Sequence, residues 1–416
     1  MNAMRLFWVH FASCVALGCA ARAQTHDFSA ATAQLSNNLA LYPGGVFVQV
    51  FQDDTEIFTW QGGGAIGLDT QVRLGSCTKW FSSAIVLRLA ERGLFNLDDP
   101  IGNYLPIFNA NGKGHVTIRQ CFSMTSGLYE TDMDYETAQM LTLTQSVNRI
   151  ALNTPLVFPP GTQLAYEGDG MQVVGRICEV VTDKDWHTLA QDELFTPLGL
   201  TSSDYRNWIA NPGIPGGARS TARAFQKFLR MILRNGLAED GSLYLTSRTV
   251  KEWFTNQTRD LPEYDAPWPP HAYPYGARPD YGHGSWILAH NPTNDLVEEI
   301  TGPGAYGTFP WVDVKRRLRG IIEMNSAVGS PLLNNLRVLD ALRAEIDRVG
   351  VPPLPSQPFT LEPMGIFFQL RWSEGTLETS PNLSLWTPLP WARSPFHERP
   401  ADIGVMHLFY RTRESD

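Results

Sequence analysis

Segments with strand-like composition stand near both ends of the first 350 residues, and they constrain the fold more than any other feature of the sequence. They cover residues 46–51, 56–60, 281–289, 295–301 and 305–314. The stretch between them, roughly residues 117–234, is rich in helical patterns broken by the turn signals PPG and PGG. We therefore expect an α/β fold in which distant parts of the chain build one antiparallel sheet, flanked by helices and a helical subdomain.

Two helices are predicted around this sheet. Residues 80–90 are apolar on almost every side and are followed by Arg92-Gly93, a pattern typical of a buried helix that ends at a glycine. Residues 332–348 are amphipathic and predict a closing helix. With 43% hydrophobic residues, the chain can bury a large core around both.

The composition changes at the proline-rich segment VPPLP, which starts at residue 351. We predict a main domain over residues 24–350, a linker over residues 351–360 and a small all-β module over residues 361–416. Three tryptophans of this module, Trp372, Trp386 and Trp391, could bind carbohydrate if exposed, but in so small a β-fold aromatic residues more often form the core.

The first residues have the pattern of a secretory signal peptide. Arg5 precedes an apolar run of about 15 residues, shorter than the roughly 20 needed to span a bilayer, and the run leads to the small-residue site ARA at residues 21–23. We expect residues 1–23 to be removed and the protein to be secreted or periplasmic. An uncleaved anchor, or a lipid on Cys19, remains an alternative.

Charge and cysteine content exclude several kinds of partner and site. The net charge is −9, and loss of Arg5 and Arg22 with the signal would make it −11, which argues against nucleic-acid binding. Cys77, Cys121 and Cys178 would remain, an odd set that can form at most one disulfide. The irregular spacing of the histidines, such as His271, His283 and His290, fits no metal site, and the glycines at 62–64 lack the lysine and helix of a phosphate-binding loop. Neither metal nor cofactor is therefore expected.

The segment GSCTK at residues 75–79 carries the clearest chemical signal. A serine and a lysine three positions apart on a helix share one face, so the Lys79 amine can reach the Ser76 hydroxyl. The chain has only six lysines, and this one precedes the predicted buried helix. An ordinary lysine is protonated at neutral pH, so Lys79 would have to be neutral to accept the serine proton. The alternative is a surface charge, which the apolar neighbours of Lys79 disfavour.

Five segments together resemble the serine β-lactamase-related superfamily, which includes class C β-lactamases, D-Ala-D-Ala peptidases and esterases of the same fold. They are VRLGSCTK at 72–79, LFNLDDPI at 94–101, MTSGL at 124–128, PGT at 160–162 with Tyr166 after it, and GG at 216–217 with STA at 220–222. The resemblance covers roughly residues 41–348. It implies a β-lactamase/transpeptidase-like fold and a catalytic role for Ser76, Lys79 and Tyr166.

Two departures from the family pattern concern substrate recognition. The family's Tyr-x-Asn motif is here Tyr166-Glu167-Gly168, so its amide is missing, and Asp169 or Gln172 could replace it. The family's Lys-Thr-Gly or His-x-Gly motif aligns with the segment GPG, which starts at Gly302 and lacks the cation that meets a substrate carboxylate.

The resemblance also implies an oxyanion hole. The residue after the third motif is Ala305, whose N–H would bind the oxyanion together with the Ser76 N–H; a register shift of one would give this role to Gly304.

We therefore expect an exported serine hydrolase that forms an acyl-enzyme on Ser76 and acts on a small-molecule substrate, most plausibly a carboxylic ester. The alternatives are a β-lactamase or D-Ala-D-Ala carboxypeptidase, and a catalytically silent member of the fold that only binds a ligand. The sequence leaves the oligomeric state open.

Overall fold

The computed structural model describes residues 26–129, 138–206, 210–266, 279–326, 329–353, 360–364, 367–372, 376–380, 386–398 and 409–413. The predicted signal peptide, the centre of the predicted linker and His271 lie outside these residues. Within them, no helix combines the length and the apolar character needed to cross a bilayer.

The larger domain contains ten α-helices and eleven strands among the described residues. The helices are α1 Ser29–Ser36, α2 Thr78–Glu91, α3 Pro106–Ala110, α4 Ile118–Phe122, α5 Leu143–Asn153, α6 Asp169–Thr182, α7 Trp186–Ala190, α8 Ala222–Leu233, α9 Ser247–Val250 and α10 Leu332–Val349. The strands are β1 Val46–Gln52, β2 Thr55–Gly62, β3 Val72–Arg73, β4 Leu164–Ala165, β5 Arg219–Ser220, β6 Glu263–Asp265, β7 Asp280–Tyr281, β8 Trp286–His290, β9 Val297–Thr301, β10 Phe309–Asp313 and β11 Leu318–Glu323.

Seven of these strands form one antiparallel sheet in the order β2-β1-β11-β10-β9-β8-β7. The N-terminal hairpin β1-β2 joins strands from the far end of the domain through β11, where Phe47 pairs with Glu323. This confirms the prediction of a sheet assembled from distant parts of the chain. Helix α10 covers one face, where Arg343 contacts Glu299 of β9, and α8 covers the other, where the Ala222 N–H donates to Glu323 of β11.

The predicted buried helix is α2, and eleven of its fourteen residues are buried. Phe81 packs against Phe225 and Phe228 of α8, with ring centroids 5.0 Å apart in both pairs. Burial of one such side chain stabilises the folded state by about 1.5–3 kcal/mol. The packing of α2 against α8 therefore holds the residues of α2 in place.

Two predicted strands begin or break elsewhere. The segment 281–289 is interrupted between β7 and β8 by a turn in which Gly284 has φ +78°. The segment 305–314 becomes a strand only at Phe309, because a turn precedes it in which the Gly307 N–H donates to the Gly304 carbonyl at 2.9 Å. Apolar composition extended across both turns and concealed them.

The C-terminal region is all-β, as predicted. Its strands are β12 Thr360–Met364, β13 Phe367–Arg371, β14 Thr376–Ser380, β15 Thr387–Pro388, β16 Phe396–Glu398 and β17 Phe409–Arg413. They form two three-stranded sheets around a separate small core that includes Leu370, Leu377 and Phe396. Trp372 is 7% exposed and Trp391 packs against this core, which favours packing over carbohydrate binding for these two tryptophans, whereas Trp386 is partly exposed and is not part of the core cluster.

Candidate active site

The nucleophile segment lies where the short strand β3 leads into α2. Residues Gly75–Cys77 form a 3-10 turn that continues into the helix. Gly75 has φ +55°, and a Cβ at this position would lie 2.9 Å from the Ala305 nitrogen, so the turn requires glycine. The turn presents Ser76, and Lys79 Nζ donates to Ser76 Oγ at 3.2 Å. The predicted serine and lysine are therefore in direct contact.

The Lys79 side chain is only 5% exposed and has two further neighbours. Its Nζ donates to the carbonyl of Pro215 at 3.3 Å and lies 4.7 Å from the centroid of the Tyr166 ring. The Pro215 carbonyl accepts a hydrogen bond from the amine and the Tyr166 ring packs beside it, so together they hold the amine next to Ser76. Sequence reasoning missed Pro215, which directly precedes the glycine pair at residues 216–217.

Tyr166 follows β4, and its backbone N–H donates to the carbonyl of Asp265 in β6 at 2.9 Å. Its ring stacks on Trp286 with centroids 5.1 Å apart and meets Tyr281 edge-on at 5.9 Å. Within the described part of the chain its hydroxyl has no hydrogen-bond partner. Lys79 thus meets the face of the Tyr166 ring and makes no hydrogen bond to its hydroxyl.

The Ala305 N–H has no hydrogen-bond acceptor among the described residues, and Ala305 is exposed at the mouth of the site. Its nitrogen lies against Gly75, next to the nucleophile. The Gly304 N–H, in contrast, donates to the Thr308 carbonyl at 2.8 Å. A free N–H beside the nucleophile is what an oxyanion hole requires, so the geometry favours Ala305 over Gly304.

Gly302 lies just after β9 and faces the interior. A Cβ at this position would come within 2.4 Å of Trp80 Nε1, so a larger residue here would have to displace the tryptophan. Gly302 is absent from the lining of the cavity at Ser76. The position aligned with the family's cation therefore provides neither a charge nor a surface of that cavity.

The two proposed replacements for the missing amide point elsewhere. Asp169, the first residue of α6, is buried and accepts a hydrogen bond from Thr154 Oγ1 at 2.7 Å. Gln172 is also buried, and its side chain bonds to Asn211 at 2.6 Å and to the Ile214 N–H at 3.0 Å. Neither residue lines the cavity at Ser76, so neither is positioned to replace the amide.

Glu167, which sequence reasoning passed over, links two of the motifs. Its carboxylate accepts from the Gly170 N–H at 3.0 Å, at the start of α6, and from Ser126 Oγ at 3.4 Å. A further hydrogen bond joins the same motifs, in which the Gly161 N–H donates to the Thr125 carbonyl at 2.7 Å. The segments at 124–128 and 160–168 therefore form one wall.

These elements enclose a cavity of about 260 Å³. It is lined by Gly75, Ser76, Lys79, Tyr166, Glu167, Gly168, Pro215, Gly216, Ala305 and Tyr306. We call it the catalytic cleft. Among the described residues that line it, Lys79 is the one cation.

His283, which belongs to the predicted strand segment 281–289, lies in the turn between β7 and β8. It is fully buried and stacks on Phe122 with ring centroids 4.9 Å apart. Burial lowers its pKa to about 3, so the ring is neutral at neutral pH. Cys77, next to the nucleophile, is also buried, and its Sγ donates to the Thr308 carbonyl at 3.2 Å. Neither residue lines the cleft.

A comparison of the sequence with models of known protein families assigns the chain to a family. Residues 42–344 match the model described as Beta-lactamase. The chain belongs to the β-lactamase family. This confirms the family resemblance noted in the sequence.

Two curated members of the family match parts of the chain. Penicillin-binding protein 4 of Amycolatopsis lactamdurans is 31% identical over 219 residues, which are 45% of this chain and 57% of that protein. Protein flp of Staphylococcus aureus strain COL is 28% identical over 142 residues, 33% of this chain and 28% of that protein. The chain thus matches less than two thirds of the length of either relative.

Solved structures match more of the chain. A putative β-lactamase from Bacteroides dorei has a TM-score of 0.69 and 26% identity, and the match covers 78% of this chain and all of that one. EstCE1, described as a hydrolase with promiscuous acyltransferase activity, has a TM-score of 0.61 and 18% identity over 76% of this chain and 97% of its own. The second match shows the shared fold alone.

Proposed function

We propose that this β-lactamase-family chain hydrolyses small carboxylic esters through an acyl-enzyme on Ser76. The observation that carries the proposal is the lining of the catalytic cleft. It combines a serine hydroxyl 3.2 Å from a buried lysine with a free backbone N–H, but among the described residues it contains no second cation. The groups that acyl transfer uses are present, whereas no second cation that could bind a carboxylate lines the described part of the cleft.

The proposed reaction follows the contacts of the cleft. Neutral Lys79 takes the Ser76 proton as the serine oxygen attacks the ester carbonyl, and the Ala305 and Ser76 N–H groups bind the oxyanion. The Tyr166 hydroxyl passes a proton to the leaving alcohol as the ester bond breaks. Water then attacks the acyl-enzyme and gives one proton to the Tyr166 phenolate, while protonated Lys79 returns its proton to the Ser76 oxygen as the acid is released. The Pro215 carbonyl keeps the amine in place, a role that the family's missing amide would otherwise serve.

The substrate class follows from the two missing groups. β-Lactams and D-Ala-D-Ala peptides present an amide and a carboxylate, but here Gly168 offers no amide and Gly302 no cation. A charge-assisted hydrogen bond contributes roughly 1.5–3 kcal/mol, so loss of the carboxylate contact should cost about ten- to a hundredfold in kcat/KM. Glu167, a carboxylate in the wall, would further repel an anionic substrate. Simple esters require neither contact.

One enzyme preparation tests the proposal on three substrates. It is assayed on p-nitrophenyl butyrate, a chromogenic cephalosporin and a D-Ala-D-Ala peptide, with kcat/KM measured for each. We expect the ester to be turned over at least tenfold better than the other two. A tenfold preference for the cephalosporin or the peptide would contradict the ester assignment and support the alternative of a β-lactamase or carboxypeptidase.

The other alternative, a silent ligand-binding member of the fold, is separated by covalent labelling. The contact between Lys79 and Ser76 supports an active enzyme. A fluorophosphonate probe should therefore add one label to the intact protein, at Ser76, and the Ser76→Ala variant should stay unlabelled. An unchanged mass at high probe excess would support the silent binder.

We also propose that the protein is exported, on the support of the charged, apolar and small-residue pattern of residues 1–23. Expression with these residues intact, followed by mass spectrometry of the exported fraction, tests this. A mature N-terminus at Gln24 is the expected result, and retention of residues 1–23 on the cell-associated protein would contradict it.

A further inference from the structure

Tyr306 lines the catalytic cleft but has no role in the proposed acyl transfer. Among the described lining residues, the other large side chains are those of Lys79, Tyr166 and Glu167. In the proposed reaction Lys79 and Tyr166 move protons, while Glu167 bonds to the start of α6. Tyr306 directly follows Ala305 in the sequence, so its ring stands beside the oxyanion donor, within reach of a bound substrate.

The Tyr306 ring is held against the nucleophile turn. A Cβ on Gly75 would lie 3.3 Å from Tyr306 Cδ2, so the ring lies close against the residue before the nucleophile. The Arg73 guanidinium lies over the same ring, with its Cζ 4.0 Å from the ring centroid, which is a cation–π contact. Arg73 itself does not line the cleft, so it can act on the cleft only through the tyrosine.

Both members of this pair are anchored to one short segment after β11. Arg73 Nε donates to Asn325 Oδ1 at 3.1 Å, and the Ser326 N–H donates to the Tyr306 carbonyl at 2.9 Å. The Arg73 backbone belongs to β3, which pairs with β5. The ring therefore cannot turn out of the cleft without losing its contact with an arginine that is itself fixed.

The geometry of acyl transfer decides which part of a substrate meets this ring. In the proposed reaction the oxyanion lies at the Ala305 N–H, and the leaving alcohol lies towards the Tyr166 hydroxyl that protonates it. The acyl chain is the remaining substituent of the tetrahedral carbon, so it points away from Tyr166. Tyr306 shares the wall of Ala305, opposite Tyr166, and is therefore placed to meet the acyl chain.

We propose, on the basis of the function proposed above, that Tyr306 is a specificity-determining residue that closes the end of the acyl subsite. Arg73 is the positioning residue that keeps the ring there. The cleft of about 260 Å³ is smaller than the roughly 300–1,000 Å³ of pockets that hold drug-sized ligands, so it has little room for a long chain. The substrate class is thereby narrowed to esters of short carboxylic acids, such as acetate and butyrate.

A series of p-nitrophenyl esters tests the proposal, because the leaving group stays constant while the acyl chain grows. The value of kcat/KM is measured for the acetate, butyrate, hexanoate and octanoate. We expect the wild type to lose at least about tenfold between butyrate and octanoate, and Tyr306→Ala to regain most of this loss, since a misfit of one methylene can cost tenfold or more. Equal octanoate-to-butyrate ratios in the two proteins would overturn the proposal. If the wild type turns over none of the esters, the proposed function is wrong and the acyl subsite with it.

Further variants separate the ring from its support. Tyr306→Phe keeps the ring and should keep the preference for butyrate over octanoate. Arg73→Met should raise the octanoate-to-butyrate ratio about two- to fivefold, the value of one exposed cation–π contact, and it applies even if Tyr306→Ala fails to fold. A merely structural role of Arg73 would lower kcat/KM for every ester alike, and that result would contradict its positioning role. Tyr264→Ala, at a tyrosine that is 47% exposed and does not line the cleft, should keep the wild-type ratio.

The orientation of the substrate is tested on the alcohol side. Wild type and Tyr306→Ala are compared on butyrate esters of methanol and p-nitrophenol. The ratio of kcat/KM for these two esters should be the same in both proteins, because their acyl group is identical. A change in this ratio without a change in the acyl-length preference would place the ring at the leaving group and overturn the proposal.

Discussion

On one wall of the catalytic cleft, the Ser76 hydroxyl lies 3.2 Å from Lys79 Nζ and close to the free Ala305 N–H, the arrangement on which the proposed acyl transfer rests. On the opposite wall, Tyr166 is followed by Glu167 and Gly168, where the family pattern has an amide. We call these the nucleophile wall and the recognition wall. The nucleophile wall is built on α2, and the burial of this helix fixes the geometry of the wall. Gly168, in contrast, directly precedes α6, outside the strands of the sheet, so a substitution there need not disturb the sheet. The difference indicates that chemistry and substrate recognition are separable in this fold.

The largest effect is expected at the nucleophile. Ser76→Ala should lower ester turnover at least a thousandfold, because only substrate binding and oxyanion stabilisation remain. Steady-state kinetics with p-nitrophenyl butyrate measure this, and Ser36→Ala, at an exposed position on α1, is the control. Comparable turnover by the Ser76→Ala protein would remove Ser76 from the mechanism.

Lys79 should be nearly as sensitive, and in a way that distinguishes a base from a charge. Lys79→Ala is expected to lower kcat by about two to three orders of magnitude, and Lys79→Arg should not restore it, because a guanidinium stays protonated. Lys227→Arg, at a surface ion pair with Glu239, should behave like the wild type. If Lys79→Arg is active, Lys79 acts as a fixed charge and not as a base.

A smaller loss is expected at the oxyanion hole. Ala305→Pro removes the N–H donor and should lower kcat by about a hundredfold, as loss of one oxyanion donor does in other enzymes. Ala305→Gly keeps the donor and should remain within about threefold of the wild type. Equal rates for the two variants would show that the Ala305 N–H does not bind the oxyanion.

The smallest effect is expected on the recognition wall, and it is a gain. Gly168 has φ −111°, which any residue can adopt, so Gly168→Asn should fold and restore an amide to the cleft. We expect about a tenfold rise in kcat/KM for a chromogenic cephalosporin, the value of one hydrogen bond, with little change for the ester. Gly168→Ala supplies the control without an amide. An equal change in both variants would mean that the recognition wall depends on shape and not on the amide.

The sequence predicted the nucleophile wall better than the recognition wall, for a physical reason. A helix places residues three apart on one face, so the contact between Ser76 and Lys79 follows from their spacing. The direction of Asp169, towards Thr154 and away from the cleft, depends on how α5 packs on α6, which no local pattern reveals. The contact between Pro215 and Lys79 likewise joins segments distant in sequence, and it uses a backbone carbonyl that leaves no residue signature.

The fold was predicted on the same basis. The two hairpin strands near the N-terminus, the buried helix and the closing helix are each marked by a local apolar pattern, and the structure confirms all of them. The turn at 304–307 was not predicted, because Ala305 and Tyr306 read as a continuation of the strand. That turn is the feature that frees the Ala305 N–H, so the error lay at a position of functional interest.

The pairing of β1 with β11 has a consequence for how the chain acquires its structure. Because Val50 must meet Gly320 to join the hairpin β1-β2 to the other five strands, the nascent chain cannot complete its sheet until most of the domain has been synthesised. Loop closure over such a distance is slow, so we expect this domain to refold slowly and to populate aggregation-prone intermediates. A chain that ends before Leu318 would leave the edge of β1 without its partner, however complete the segments around Ser76 and Tyr166.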